Sequence, residues 1–301
     1  MRACVIFNPT AQGEKARRFR RILDALGTHC VLKPTSAVGA ARTLAAAAVR
    51  EGYETIVAAG GDGTLNEVLN GLGDEPEGFA RARLGVLPLG TVNVFAKELG
   101  LPMALAKAWK TIERGHEILI DLPEVEFTGD GPSRRRYFAQ MAGAGLDARA
   151  IQLVDWELKK KIGQFAYILA GIKALHGPQA RILATHGAGT VEGELVLIGN
   201  GRYYGGKLPL FHRADLRDGL VDVCVFPKVT WSILPRYAWG FLSEKLFRPG
   251  GTHYFQTDSL QLSSPSPVPV EVEGEVVGQL PAKITLRRKI LRVIVPQLND
   301  P

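Results

Sequence analysis

The alternation of strand-like and helix-like segments in the N-terminal part of the sequence constrains the fold more than any other feature. Short apolar runs such as "ACVIF", "TIVAAG" and "RLGVLP" each end in turn residues and are followed by a segment with helical character. Repeated strand–helix units predict a parallel sheet, because parallel strands need a crossover that a helix usually supplies. We therefore predict an α/β domain with an open, mostly parallel sheet and flanking helices.

After about residue 120 the pattern changes to short strand-like runs separated by turn residues. This spacing is typical of a mainly antiparallel β-sandwich. One helical segment, from about 148 to 175, interrupts the strands. We predict an α/β domain over 1–122 and a β-sandwich domain over 123–287. The sequence leaves open whether 288–301 returns to the first domain.

Charge and cysteine content limit the classes of protein to consider. The chain has 301 residues and a formal net charge of +7, which favours anionic partners such as a nucleotide or an acidic membrane face. The three cysteines have no metal-ligand spacing, and their odd number fits a reducing compartment. No export signal and no membrane-spanning run is evident. We expect a cytoplasmic protein, either free or peripheral on the inner membrane face.

A glycine-rich loop, "GGDGT" from Gly60 to Thr64, lies where the third strand should give way to a helix. Thr64 and Glu67 have the spacing of a capping box, which predicts a helix beginning directly after the glycines. The free N–H groups and the positive dipole end of such a helix suit phosphate. Asp62 would then hold Mg²⁺ on that phosphate or order the site. A plain tight turn is the alternative that these residues alone leave open.

Two more turns are expected at the same edge of the sheet, "NPTAQG" (Asn8–Gly13) and "PLGTVNVFAKELGLP" (Pro88–Pro102). Ligands of open parallel sheets bind beyond the carboxyl ends of the strands, so three such turns together predict a phosphate-binding crevice. No Walker motif occurs. The segment "GAGLDA" (Gly143–Ala148) has dinucleotide-binding spacing but no acid about twenty positions later, and we interpret it as a chance match.

Six motifs in a fixed order carry a resemblance to a known family: "NPTAQG", "GGDGTLNEV", "PLGTVN", "NGRYYGGK", "DLRDGLVDV" and "VEVEGE". The set resembles the bacterial soluble lipid kinases of the diacylglycerol kinase catalytic-domain family, whose superfamily includes sphingoid-base kinases and NAD kinases. The resemblance spans nearly the whole chain. It implies an ATP-dependent enzyme that transfers the γ-phosphate to a lipid hydroxyl, with a nucleotide site, a lipid pocket in the second domain and Mg²⁺.

The resemblance also assigns roles to residues. Glu275 would be the general base, and Asp62 would serve the catalytic metal or phosphate. The metal-ordering loop would use Asp215, Asp218 and the backbone carbonyl of Leu220 to hold Mg²⁺. The expected nucleotide-binding residues are Asn8, Thr10, Thr35, Gly60, Gly61, Asp62, Gly63, Thr64, Leu65, Asn66, Glu67 and Thr91.

Two positions depart from the family pattern. Val94 stands where many members have an aspartate, and Glu273 replaces the usual aspartate before Gly-Glu. These departures keep open the alternative of a non-catalytic nucleotide-binding membrane adaptor. An NAD kinase is a second alternative, because NAD kinases share the glycine-rich loop.

The expected partners are a nucleotide and a lipid at a membrane surface, without nucleic acid, and a homodimer is left open. The basic runs Arg134–Arg136 and Lys159–Lys161 and the aromatic segment Thr230–Phe247 suit membrane contact. Solvated faces and ordinary core packing are their alternatives.

Overall fold

The computed structural model describes residues 2–9, 17, 19, 30–129, 131–153, 170, 173–175, 177–231 and 251–297. The chain divides into two compact units. The first contains Met1–Leu122 and Arg288–Pro301, and the second contains Pro123–Arg287.

Six helices have bounds within the described residues. They are α1 Ala40–Arg50, α2 Asp62–Gly73, α3 Gly78–Arg81, α4 Val94–Glu98, α5 Leu105–Arg114 and α6 Leu146–Gln152. The strands of the same residues are β1 Ala3–Phe7, β2 Val31–Pro34, β3 Thr55–Gly60, β4 Arg83–Pro88, β5 Glu117–Gly129, β6 Gly131–Tyr137, β7 Met141–Gly145, β8 Ile182–His186, β9 Gly189–Gly193, β10 Leu195–Gly199, β11 Val221–Phe226, β12 His253–Thr257, β13 Ser259–Ser263, β14 Pro269–Val272 and β15 Glu275–Ile294.

The first unit is built on a parallel sheet in the order β4-β3-β1-β2. The end of β15 adds a parallel strand beside β4, through the pair Val293 and Leu84. All of β1 and nearly all of β3 and β4 are buried, which is expected where helices cover both faces of a parallel sheet. Aromatic side chains fill one side of this core, where Phe7 meets Phe19 edge to face at 5.6 Å between ring centroids.

Helices α1 and α2 pack with almost no side chain between their backbones. A Cβ on Gly71 would lie 2.2 Å from the carbonyl oxygen of Arg42 and 2.7 Å from Cβ of Ala45. The alanine-rich sequence of α1 is therefore a packing requirement, since larger residues at this crossing would separate the helices.

The second unit is mainly antiparallel. One branch has the order β12-β11-β10-β7-β14-β15, and a second branch runs from β15 through β13 and β8 to β9. Strands β5 and β6 form a hairpin. Side chains from both branches and from this hairpin meet in one apolar core, as in a β-sandwich.

The predicted fold class, a parallel α/β domain followed by an antiparallel β-sandwich, is confirmed. Three details differ from the sequence prediction or lie outside the described residues. The runs "VPVEVEGEVVG" and "AKITLRR" form β14 and one continuous strand, β15. Of the helical segment expected over 148–175, the described helix α6 ends at Gln152, and 154–169 lie outside the described residues. No helix in the described part of the chain is long and apolar enough to cross a membrane.

The capping box predicted from Thr64 and Glu67 is wrong. Helix α2 begins at Asp62 with Gly61 as its N-cap, and no side chain caps it. Glu67 lies in the second turn and its carboxylate points to the neighbouring helix. Its two oxygens accept hydrogen bonds from the N–H groups of Gly39 at 2.9 Å and Ala41 at 3.0 Å, so Glu67 caps α1.

We predict that Glu67→Ala lowers the free energy of unfolding by about 1 kcal/mol, because two N–H groups of α1 lose their acceptor. Equilibrium urea unfolding measures this change. Glu67→Gln retains one carbonyl oxygen and should lose less. Equal stability of the alanine variant and the wild type would show that solvent satisfies these groups equally well.

Candidate phosphate-binding site

Strand register brings four strand ends, and the loops that follow them, to one edge of the parallel sheet. Phe7 pairs with both Pro34 and Ala59, and Gly60 pairs with Pro88. The residues that follow these strand ends therefore leave the sheet side by side. They are Asn8 after β1, Thr35 after β2, Gly61 after β3 and Leu89 after β4.

Three predicted nucleotide-binding residues at this edge are open to solvent to different degrees. Asn8 and Thr91 are exposed and Thr35 is half-buried. The N–H of Thr35 donates to the carbonyl oxygen of Phe7 at 2.8 Å, which fixes the turn after β2. Thr10 lies outside the described residues.

Two loops of this edge touch backbone to backbone at their glycines. A Cβ on Gly90 would lie 2.5 Å from Cα of Gly61, and a Cβ on Gly60 would lie 2.4 Å from Cβ of Thr64. The N–H groups of Leu89 and Gly90 also donate to the carbonyl oxygen of Gly60, at 3.0 and 3.2 Å. Gly61 and Gly90 are therefore needed for the contact between the loops, and Gly60 is needed for the close approach of Thr64 within its own loop.

The N-terminus of α2 is suited to an anion. Asp62, Gly63 and Thr64 form its first turn, no side chain caps it, and all three residues are half-buried, so this helix end is not enclosed by the protein. The first N–H groups of a helix have no partner within the helix, and the helix dipole favours negative charge there. A phosphate group fits this end of α2 on both grounds.

Leu65 and Asn66 serve the interior of the unit. Both are buried, and the side-chain amide of Asn70 donates to the carbonyl and Oδ1 oxygens of Asn66, at 2.9 and 2.8 Å. Together with the helix-capping role of Glu67, these contacts indicate that the second turn of α2 packs into the first unit and holds the glycine-rich loop in position.

Asp62 orders the neighbouring loop. Its Oδ1 accepts the N–H of Phe95 at 3.4 Å, at the start of α4. Burial raises the pKa of Asp62, while the N–H groups of Phe95, Val94 and Asn93 and the charge of Lys97 lower it. The carboxylate of Asp62 thus acts as a cap for α4 and holds the loop after β4 against α2.

The departure at Val94 places an apolar residue inside the molecule. Val94 is 9% exposed and opens α4, directly after Asn93. Asn93 has a positive φ of 52° and donates from its side-chain amide to the carbonyl of Gly90 at 2.7 Å, whereas its buried Oδ1 accepts no hydrogen bond from the described residues. This orphaned acceptor is available to a donor that the described chain does not supply.

The acidic loop from Asp215 to Leu220 is closed by its own hydrogen bonds. The N–H of Arg217 donates to Oδ1 of Asp215 at 3.0 Å, and the N–H of Leu220 donates to Oδ1 of Asp218 at 2.9 Å. Oδ2 of Asp218 accepts from the amide of Gln256 at 3.2 Å. Across the described ranges, no group of three or more His, Cys, Asp or Glu residues could hold a metal. A cation here would rely on two carboxylates and backbone oxygens, which are hard ligands of the kind Mg²⁺ takes.

A two-residue turn in the second unit has glutamates within it and on both sides. Glu273 and Gly274 have φ angles of 53° and 81° and connect β14 to β15, with Val272 paired to Glu275. Two successive positive φ angles identify a type I′ turn, which usually has Asn or Asp before Gly. The longer arm of Glu273 has a use here, because its Oε1 accepts the N–H groups of Ala139 and Gln140, both at 2.7 Å.

Three glutamates around this turn have three different environments. Glu271 is completely buried, Glu273 is half-buried against two N–H donors, and Glu275 is exposed at the first position of β15. Sequence reasoning selected Glu273 and Glu275 but missed Glu271. It also missed the contacts that Glu271 makes with Asp147, which lies within the segment interpreted as a chance match.

That segment does not open a parallel strand–helix unit. It begins in β7, which pairs antiparallel with β10 on one side and β14 on the other. A Cβ on Gly145 would lie 2.4 Å from the carbonyl oxygen of Glu194, so strand packing requires this glycine.

The surfaces proposed for membrane contact are only partly described. Arg134 and Arg135 on β6 are exposed, and Arg135 pairs with the buried carboxylate of Glu124 at 3.2 Å. Trp231 is 51% exposed. Lys159–Lys161 and residues 232–247 lie outside the described residues.

Comparison with known proteins finds a matching family model for each part of the chain. Residues 2–125 match the model of the diacylglycerol kinase catalytic domain, and residues 140–295 match the model of the YegS C-terminal NAD kinase beta sandwich-like domain.

Full-length relatives agree with these matches. A diacylglycerol kinase of Staphylococcus carnosus is 30% identical over 98% of this chain and 95% of the relative, and one of Staphylococcus saprophyticus is 30% identical over 99% and 96%. A crystal structure of a diacylglycerol kinase from Bacillus anthracis superposes with a TM-score of 0.76 at 25% identity, covering 98% of this chain and 97% of that one. The chain therefore belongs to the diacylglycerol kinase catalytic-domain family and is a lipid kinase by that membership, as its sequence motifs predicted.

Proposed function

We propose that the chain phosphorylates the hydroxyl group of a diacylglycerol, with ATP as the phosphate donor and Mg²⁺ as the required cation. The observation that carries this proposal is the alignment of four loops around the open N-terminus of α2, in a chain whose full-length relatives are diacylglycerol kinases. In the reaction the lipid oxygen attacks the γ-phosphorus, the bond from the γ-phosphorus to the β,γ-bridging oxygen breaks, and ADP leaves.

The first turn of α2 would bind the phosphates of the nucleotide. Gly60 to Thr64 supply N–H groups and the positive end of the helix dipole, and the loop after β4 is held against them by Asp62. Asn8, Thr35 and Thr91 flank this end of α2 and would contact the rest of the nucleotide. Phosphoryl transfer depends mostly on positioning and on charge stabilisation, which a rigid loop pair supplies.

When bound, Mg²⁺ would neutralise the charge of the transferring phosphate. Asp62 is the carboxylate within the phosphate loop. Its oxygen that does not accept the N–H at the start of α4 would face such a cation. Asp215, Asp218 and the carbonyl of Leu220 would hold a second, ordering Mg²⁺, because two carboxylates three residues apart and a carbonyl form a hard oxygen set.

Glu275 would accept the proton of the lipid hydroxyl. Among the three glutamates of the turn it is the exposed one, whereas Glu273 binds two N–H groups and Glu271 is buried. The base needs only to receive the proton as the new P–O bond forms, so an ordinary carboxylate suffices.

The acceptor lipid places the reaction at a membrane surface. The exposed basic residue Arg134 on β6 would favour an anionic leaflet, by about 1 kcal/mol close to the surface. The buried Val94 removes a carboxylate from the loop after β4, which would suit a less polar acceptor contact.

We predict that Glu275→Gln lowers kcat by at least about 10²-fold and leaves the affinity for ATP nearly unchanged, because it removes the base alone. Transfer of label from γ-labelled ATP to diacylglycerol in mixed micelles measures kcat. Glu192→Gln is the matched control, since Glu192 is exposed on β9 in the same unit and pairs only with surface Arg181 among the contacts described. Full turnover by Glu275→Gln would remove Glu275 from this role.

The same assay separates the alternatives. Label on NAD in the absence of detergent would indicate an NAD kinase. ATP binding without label on either acceptor would indicate a non-catalytic adaptor. Label in the organic phase identifies the lipid kinase and allows the lipid to be named.

A second prediction concerns the ordering metal. Mg²⁺ should raise the melting temperature of the wild type, and Asp218→Asn should remove most of that increase, because a ligand that binds only the folded state stabilises it in proportion to the logarithm of its concentration. Thermal unfolding with EDTA and with Mg²⁺ measures both. An unchanged melting temperature of the wild type in Mg²⁺ would contradict a structural cation at this loop.

A further inference from the structure

A buried carboxyl group, Glu271, lies directly beneath the type I′ turn that carries Glu273 and Glu275. It is 0% exposed, and its Oε2 accepts the N–H of Gly274 at 2.8 Å. Gly274 is the second residue of the turn, so this hydrogen bond ties the turn to the core of the β-sandwich. The pairing of β14 with β15 shifts register between Val270 and Glu271, which is where the carboxyl group turns inward.

The carboxyl group of Glu271 also lies beside a second acid, Asp147. Oε1 is buried and accepts no hydrogen bond from the described residues, and the carboxyl group of Asp147 lies within hydrogen-bonding reach. Gly143 makes room for this contact, since a Cβ there would lie 3.0 Å from Oε1 of Glu271. Asp147 in turn accepts a hydrogen bond from the hydroxyl of Tyr204, at 2.5 Å from its Oδ1.

Two carboxylates in hydrogen-bonding contact, one of them completely buried, cannot both be charged without a large cost, and one shared proton removes that cost. The donors and acceptors show where the proton belongs. Asp147 already accepts from Tyr204, and Oε1 of Glu271 is the oxygen of its carboxyl group that receives no donor from the described residues. A proton on Oε1 of Glu271 would be donated to Asp147, and every group in the cluster would then be satisfied.

The acidities of the two groups agree with this geometry. Burial raises the pKa of Glu271 well above its ordinary value, and the charge of Asp147 raises it further. Burial also raises the pKa of Asp147, to about 6, although the hydrogen bonds from Tyr204 and Glu271 oppose the increase. The other titratable group that acts on the pair among the described residues is Glu273, whose charge also favours a protonated Glu271.

We propose that Glu271 is protonated at neutral pH and donates to Asp147, and that the chain Tyr204–Asp147–Glu271–Gly274 positions the turn that carries the base Glu275. Glu271 and Asp147 act through the turn and are positioning residues. The proton-sharing part of this inference is independent of the proposed function. The positioning part rests on the assignment of Glu275 as the base.

Infrared spectroscopy of the whole chain at neutral pH tests whether Glu271 carries a proton. The wild type should show the C=O stretch of a buried protonated carboxyl group, and Glu271→Gln should lack it. The Glu275→Gln variant should keep the band and is the matched control. A wild-type spectrum without the band would overturn the proton-sharing pair, whatever the enzyme phosphorylates.

The positioning role is tested by comparing two substitutions at one position. Glu271→Ala removes the anchor of Gly274 and should lower kcat by about 10²-fold, because a small displacement of a catalytic group has effects of this size. Glu271→Gln has the shape and the hydrogen bonds of the protonated acid and should recover most of that loss. The KM for ATP should change little in either variant, since the nucleotide loop belongs to the other unit.

The pH profile distinguishes this role from a purely structural one. In the wild type the pair loses its proton as the pH rises, so kcat should decline on the alkaline side as Glu271 and Asp147 repel each other. Glu271→Gln has no such proton, and its alkaline decline should disappear. Equal activity of Glu271→Ala and the wild type, or loss of activity in Glu271→Gln as complete as in Glu271→Ala in a folded protein, would overturn the positioning role.

Discussion

The contact between the backbones of Gly61 and Gly90 is the constraint on which the phosphate-binding edge depends. Parallel strand register brings the loops after β3 and β4 to the same edge, but only residues without a side chain let them touch. Once they touch, Asp62 can reach the N–H groups at the start of α4, and the first turn of α2 is held in place. The glycine-rich sequence therefore has two uses: it joins two loops, and it leaves the helix end open to an anion.

The three glutamates in and around the turn of the second unit lie in three different environments. An acid between two N–H donors is held in place by them, an acid beside another carboxyl group keeps a proton, and an acid at the surface is accessible to solvent. Glu273, Glu271 and Glu275 illustrate these three cases within five residues. The same residue type can therefore position the turn and perform chemistry on it, because burial and hydrogen bonding decide the protonation state.

Much of the fold could be predicted from the sequence, because the spacing of apolar residues and the positions of turn residues are local properties of the chain. The alternation of strands and helices, the change to antiparallel strands and the phosphate-binding motif are all visible in short windows. The true capping partner of Glu67 could not be predicted from a short window. The spacing of Thr64 and Glu67 fits a capping box equally well, and only tertiary packing brings Gly39 and Ala41 near Glu67. The pairing of Asp147 with Glu271 was not predicted for a similar reason: the two residues are more than a hundred positions apart, and neither has a local pattern that marks a carboxyl pair.

The carboxylates of the first unit also determine where an anion can settle. The carboxylate of Asp62 accepts a hydrogen bond at the N-terminus of α4, and that of Glu67 accepts two at the N-terminus of α1. Two helix ends near the phosphate-binding edge therefore already have a negatively charged partner within the protein. Both carboxylates come from α2, whose own first turn has no side-chain cap. The first-turn N–H groups of α2 are therefore the ones left without a side-chain acceptor among these three helix ends, and a phosphate bound there would also lie beside the carboxylate of Asp62 in the same turn, which favours a cation between the two.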